Sequence, residues 1–183
     1  MESLEILRRE HRMVLRVARA ARRDVDRALV AGEIDTDEAD DLLDFFRYFT
    51  NSCHSPKEED LLFTTLHRRG LRWDEAPLRD LVRQHEDMRL VLDSAFDWVP
   101  LVRAGEPGAL DALLNNLSMY LDLLETHVAE EEDVLFTIAE ERLRPQDLAD
   151  LGAAFAAIAC EEEEEGVHEY YADMAHHLAG AAA

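Results

Sequence analysis

The chain has 183 residues, of which 48% are hydrophobic and 33% charged, and its formal net charge is −22. This length fits one domain with a buried core, and the acidic balance argues against nucleic acid and anionic membrane surfaces as partners. No apolar run is long enough for a signal peptide or a membrane span. The two cysteines, Cys53 and Cys160, make no disulfide framework and fit a reducing cytoplasm.

The first predicted helix extends from Ser3, a candidate N-cap, to Gly32, a residue type that commonly ends helices. Its apolar residues recur at alternating steps of three and four, which is typical of a helix packed in a bundle. His11 falls on this apolar stripe.

The second predicted helix follows a cap at Asp35 or Thr36 and ends at Gly70. It contains His54 and, shortly after it, Pro56. Proline lacks a backbone N–H and clashes with the carbonyl four residues earlier, so we expect a kink or break at this point.

Two further long helices are predicted. The third begins near Asp74 and places His85 on its apolar stripe. The fourth shows apolar residues from Leu110 onwards and ends before Pro145. Four long helices with short connections predict an all-α, antiparallel up-down-up-down four-helix bundle.

The C-terminal part predicts a helical extension that packs on the bundle. An alanine-rich helix over residues 146–160 runs into five glutamates, and a short final helix contains His168. We therefore expect the bundle to occupy residues 1–144, and the extension, as part of the same domain, residues 145–183.

One motif occurs twice. The sequence CHSPKEEDLLFT at residues 53–64 returns 73 residues later as THVAEEEDVLFT. Both copies contain His-x-x-x-Glu, and residues four apart on a helix are neighbours on one face. The pairs are His54 with Glu58 and His127 with Glu131.

These pairs, with the histidines of the other two helices, predict a metal site inside the bundle. A buried ionised carboxylate costs several kcal/mol unless it is compensated, and no arginine or lysine of the apolar stripes is in register to do so. Mixed imidazole and carboxylate ligands suit iron, manganese or zinc. The alternative is a fully satisfied polar network without metal. Ferritin-like bundles use Glu-x-x-His instead, which occurs here only at Glu165 and His168.

Four segments together carry a resemblance to a known family. They are Glu10-His11, His54-x-x-Lys57-Glu58-Glu59, His85-Glu86 and His127-x-x-x-Glu131. They resemble the hemerythrin-like proteins, which have an HHE cation-binding domain, over nearly the whole chain. The segment GVHEYY at residues 166–171 is similar to the G-T-H-E-x-Y ending of a bacterial branch of that family.

The resemblance implies a non-haem di-iron centre of two iron ions, with an oxo or hydroxo bridge. Glu58 and Glu131 would bridge the irons, and the histidines would be terminal ligands. The best-known members use five histidines, two of them from the third helix, whereas this third helix offers one. His168 is therefore the candidate for the fifth. The expected ligands are His11, His54, Glu58, His85, His127, Glu131 and His168.

The function implied by the resemblance is O₂ binding for carriage, storage or sensing. One alternative is an enzyme that handles peroxide or nitric oxide at the same irons. Another is an iron or redox sensor that works by conformational change, with the tail histidine as its moving part. No catalytic acid–base pair stands out beyond the expected ligands.

Overall fold

The computed structural model describes residues 2–158, which form helices joined by short turns. Helix α1 is Glu2–Ala31, α3 is Leu78–Arg103 and α5 is Pro145–Ala157. Helix α2 covers residues 36–68 as Thr36–Phe45, Phe46–His54, Lys57–Phe63 and Thr64–Arg68, and α4 covers residues 109–142 as Ala109–Glu130, Glu131–Leu135 and Phe136–Arg142. Over this range no helix combines the length and the apolar character that crossing a membrane requires.

The first four helices form the expected antiparallel bundle. They are joined by short connections at residues 32–35, 69–77 and 104–108, so each helix runs back along the one before it. Helix α1 packs against α4, α2 against α3, and α3 against α4, while α5 packs on α1 and on the second half of α2. The prediction of an all-α four-helix bundle with a further C-terminal helix is confirmed.

Two predicted helix ends are confirmed in detail. The Asp35 side chain accepts hydrogen bonds from the backbone N–H groups of Asp37 and Glu38, which caps α2. Gly32 follows the last residue of α1 with a φ of 73°, a left-handed conformation that glycine adopts without steric cost.

Two predicted helix starts are wrong. Helix α1 already includes Ser3, so this residue is not its N-cap. Helix α3 begins at Leu78 and not near Asp74, because the chain forms turns over the intervening residues.

Both copies of the repeated motif include π-helical turns. In α2 these turns are Phe46–His54 and Lys57–Phe63, and in α4 the turn is Glu131–Leu135. Pro56 has helical dihedral angles (φ −62°, ψ −31°), so α2 continues through it and the expected break is absent. Since the copy in α4 has no proline, proline is not the common cause of the wider turns. Such turns are frequent at functional sites.

A layer of buried polar side chains divides the apolar core into two clusters. In α1, Leu4 and Leu7 belong to one cluster, the other begins at Val14, and His11 lies between them. The same order holds in α2, where Phe49 and Leu62 lie on either side of His54 and Glu58. The bundle therefore holds one polar layer at a single depth, enclosed by apolar side chains on both sides.

Candidate metal centre

Six of the seven predicted ligand residues meet in this layer. They form two groups, and within each group one nitrogen or oxygen atom per residue lies within 4.8 Å of the others. The first group is His11, His54, Glu58 and Glu131, and the second is Glu58, His85, His127 and Glu131. Both glutamates belong to both groups. The seventh residue, His168, lies outside the described residues.

The repeated motif brings its own histidine and glutamate together, as the helical spacing predicts. Nε2 of His54 lies 3.2 Å from Oε1 of Glu58, and Nε2 of His127 lies 3.4 Å from Oε2 of Glu131. Helices α1 and α3 contribute His11 and His85 to the same layer. Glu58 and Glu131 have no solvent-exposed surface.

The inward-facing atoms of this site are not satisfied by the protein. Nε2 of His11 lies 3.2 Å from Oε2 of Glu131, but this contact lacks hydrogen-bond geometry. Within residues 2–158, all four carboxylate oxygens of Glu58 and Glu131 lack a hydrogen-bond donor. Because a buried carboxylate without compensation is strongly unfavourable, these orphaned oxygens are what a bound cation would satisfy. The donor set therefore fits a metal ion.

The outward-facing Nδ1 atoms of the four histidines, in contrast, all have hydrogen-bond partners. Each of the four histidines donates a hydrogen bond from Nδ1 to a side-chain oxygen, and ionised carboxylates and amide oxygens can only accept. In the neutral form of each ring Nδ1 therefore carries the hydrogen, and the lone pair of Nε2 points into the site, as in metal-ligating histidines. The Nδ1–oxygen distances are 2.9 Å for His11 with Glu132, 2.8 Å for His54 with Glu10, 2.6 Å for His85 with Glu59 and 2.9 Å for His127 with Gln84.

One contact between two histidines is unfavourable unless a proton or a cation lies between the rings. Nε2 of His85 and Nε2 of His127 lie 2.9 Å apart. If both rings keep their hydrogens on Nδ1, two lone pairs face each other at this distance. Only a shared proton or a cation between the rings makes this arrangement favourable.

In the metal-free site the pKa values of the two glutamates are shifted in opposite directions. Burial opposes ionisation of Glu58, but the neighbouring His54 and His11 outweigh it and hold the pKa of Glu58 well below its usual range. For Glu131, burial and the charge of Glu58 raise the pKa to about 7. Ionisation of both carboxylates at one buried site is unfavourable without a cation, because like charges disfavour each other's ionised form.

The pKa values of His85 and His127 are also shifted in opposite directions. Burial disfavours the charged form of His85, but the nearby carboxylates of Glu58 and Glu59 outweigh it and raise its pKa to about 9. Burial and the neighbouring His85 lower the pKa of His127 well below its usual range. Without metal, protons on some of the histidines balance the buried carboxylates. Metal binding must release those protons.

Sequence reasoning missed the side chains that orient the histidines. Glu10 directly precedes His11 in sequence but bonds to His54, and Lys57 donates to Glu10 across the bundle. The signal was present, because a polar residue stands beside several expected ligands. Nothing local indicated which histidine each one would reach. The residues whose orienting role was not predicted are Glu10, Glu59, Gln84 and Glu132.

A small cavity of about 10 Å³ lies against the histidines of both groups. This is about the smallest volume that holds one water-sized molecule. Its wall combines the rings with the apolar side chains Val14, Met88, Leu124 and Val128 and the hydroxyl residues Thr50 and Ser55. The cavity therefore admits a very small molecule in mainly apolar surroundings.

Cys53, directly before His54, is buried and is disulfide-bonded. The sequence predicted no disulfide framework and a reducing cytoplasm, and a disulfide at this residue departs from that expectation. Cys160 lies outside the described residues. The cysteines thus no longer support a reducing compartment, and a cytoplasmic location stays a prediction.

The fold and the site together define a helical bundle with a buried His/Glu cluster of the metal-binding type. The family model described as hemerythrin HHE cation binding domain matches residues 2–139. The chain therefore belongs to the hemerythrin HHE cation-binding family, as its sequence resemblance predicted.

Relatives include uncharacterized proteins of Mycobacterium bovis and of two strains of Mycobacterium tuberculosis. Each is 24% identical over 151 residues, which is 82% of this chain and 58% of the relative. The chain thus spans little more than half the length of these relatives. No solved structure gave a significant match.

Proposed function

We propose that the protein is a non-haem di-iron protein that binds O₂. In this proposal His11 and His54 would hold one iron, His85 and His127 would hold the other, and Glu58 and Glu131 would be shared ligands. A pair of iron(II) ions supplies reversible O₂ binding, and the protein supplies the site for it. The observation that carries the proposal is the pair of ligand groups that share two buried glutamates.

The chain's own residues would keep the site selective. The hydrogen bonds at Nδ1 orient the four rings before any metal arrives, which favours binding because no side chain has to be reordered. The apolar clusters on both sides keep bulk water out of the polar layer. The mainly apolar cavity of about 10 Å³ suits a diatomic molecule better than a larger substrate.

His168 remains the proposed seventh ligand, supplied by the extension over residues 145–183. Helices α1 to α4 supply two histidines to each ligand group, so a fifth histidine would make the groups unequal. Substitution of His168 by alanine should then lower iron affinity while the bundle stays helical. Unchanged iron content and unchanged iron spectra would show that His168 is not a ligand.

The direct test is anaerobic reconstitution with iron(II), elemental analysis, and stopped-flow absorption after mixing with O₂, H₂O₂ or NO. We expect about two irons per chain and an O₂-dependent absorption band that disappears on deoxygenation. The matched controls are His127→Ala, which should lose the band, and His67→Ala, which should keep it. His67 is exposed and lies outside both ligand groups.

Other outcomes would replace this proposal. A reproducible ratio of one iron per chain, or zinc alone, would contradict the di-iron centre. Sustained O₂ evolution from peroxide would identify a catalase-like enzyme. Continuous consumption of NO would identify a detoxifying enzyme. A structural response without stable O₂ binding would identify a sensor.

A further inference from the structure

The two halves of the site are related by the sequence repeat, and one pair of histidines is held in the same way in both halves. Nδ1 of His11 donates to Glu132, and Nδ1 of His85 donates to Glu59. Each of these carboxylates also accepts from an arginine at the edge of the bundle. The arginines are Arg8 for Glu132 and Arg89 for Glu59. At this pair the halves match.

The other pair does not match. Nδ1 of His54 donates to a carboxylate oxygen of Glu10, at 2.8 Å. The second oxygen of Glu10 accepts from the ammonium group of Lys57, and all three side chains are buried. His54 therefore donates its hydrogen bond to an ionised carboxylate, that of Glu10, which forms an ion pair with Lys57.

In the second half an amide takes the place of that carboxylate. Nδ1 of His127 lies 2.9 Å from Oε1 of Gln84, and Nε2 of Gln84 donates to Glu130 at 2.8 Å. A carboxylate only accepts, so the NH₂ group of Gln84 must face Glu130 and its oxygen must face His127. The network therefore also orients the ring of His127, but with a neutral acceptor.

This difference changes the strength of the two ligands. Hydrogen bonds to an ionised acceptor are about twice as strong as bonds between neutral groups. A carboxylate at Nδ1 also raises the basicity of the ring as a metal ligand. The charge of Glu130 lies one group further away, and Glu130 is partly exposed to solvent, which weakens its effect on the ring. The direct acceptor therefore dominates.

We infer that the two metal positions are unequal, and that a first metal ion binds at His11 and His54. Gln84 is a positioning residue that lowers the affinity of the His85–His127 position. This inference rests on the two-metal site of the proposed function. Loss of one such hydrogen-bonding partner typically changes metal affinity by about 10- to 100-fold. We expect the two binding steps to differ by about that factor.

The chain itself supplies the design of the test. The double variant Gln84→Glu with Glu130→Lys copies the arrangement of Glu10 and Lys57 into the second half. The reciprocal variant Glu10→Gln with Lys57→Glu copies the amide arrangement into the first half. The first should strengthen the second binding step by about 10- to 100-fold and leave the first step unchanged, whereas the reciprocal variant should weaken the first step by a similar factor.

The measurement is anaerobic calorimetric titration of the metal-free full chain with iron(II) alone. Manganese(II) resonance spectra at one equivalent provide a second readout. Wild type should show mainly isolated manganese ions at one equivalent, and the Gln84→Glu/Glu130→Lys variant should show more coupled pairs. Circular dichroism checks that each variant keeps its helices.

The outcomes separate this inference from the proposed function. Two bound ions with unchanged affinities in both double variants would overturn the inference and leave the di-iron centre standing. Binding of one ion per wild-type chain would overturn both. His54→Ala should abolish the tighter step and His127→Ala the weaker one, and the opposite assignment would also overturn the inference.

Discussion

Replacement of Glu131 by glutamine in the metal-free protein measures what burial of this carboxylate costs. Glu131 is fully buried, and burial together with the charge of Glu58 raises its pKa from the ordinary 4.5 to about 7. Because the folded-state pKa is the higher one, the stabilisation from proton binding is fully present below about pH 4.5 and is lost as the pH rises through 7. The difference between the pKa of 4.5 and the raised pKa of about 7 corresponds to roughly 3 kcal/mol in the free energy of unfolding.

Glutamine has nearly the shape of the protonated acid and does not titrate. Without metal, Glu131→Gln should therefore exceed wild type in free energy of unfolding by roughly 3 kcal/mol at pH 8 and by less than about 1 kcal/mol at pH 5. With saturating metal the order should reverse, because the variant loses a charged ligand. Urea unfolding followed by circular dichroism measures all these differences.

Glu125→Gln is the matched control, since Glu125 is exposed on the same helix, α4. It should give no pH-dependent gain and no loss of metal-dependent stabilisation. The reasoning fails if metal-free Glu131→Gln is less stable than wild type at pH 8. Such a result would mean that hydrogen bonds inside the site, and not a cation, compensate the ionised carboxylate.

Three further predictions concern ligands, pH and the C-terminal helix. Glu131→Ala should lower bound iron more than His85→Ala, because the carboxylate belongs to both ligand groups; equal retention by elemental analysis would count against a shared role. Metal-free protein should lose stability between about pH 6.5 and 9, because the folded-state pKa of His85 is raised to about 9. Melting curves measured at both pH limits, with and without metal, should show a larger stabilisation by metal at the higher pH. Asp147 accepts two hydrogen bonds from Arg69, at 2.8 and 2.6 Å. Asp147→Ala should therefore speed amide hydrogen exchange in Pro145–Ala157. Unchanged exchange would show that this ion pair does not stabilise the helix.

The elements that sequence reasoning found are those that depend on near neighbours along the chain. The apolar stripes of the long helices follow from the helical period, and the cap at Asp35 from a side chain that reaches its own first turn. The pairing of His54 with Glu58 follows from the spacing of four residues. These features are local, so their geometry is the same in any fold that keeps the helix.

The features that sequence reasoning missed depend on how the helices meet. His11 bonds to Glu132, 121 residues away, and His54 bonds to Glu10, 44 residues away. No helical period specifies such partners, because the depth and rotation of each helix are set by packing of the whole core. The π-helical turns add a further rotation that the sequence did not reveal. Thus near-neighbour rules predicted which residues would form the polar layer, whereas tertiary packing decided which atoms of each ring face inward and which acceptor holds it.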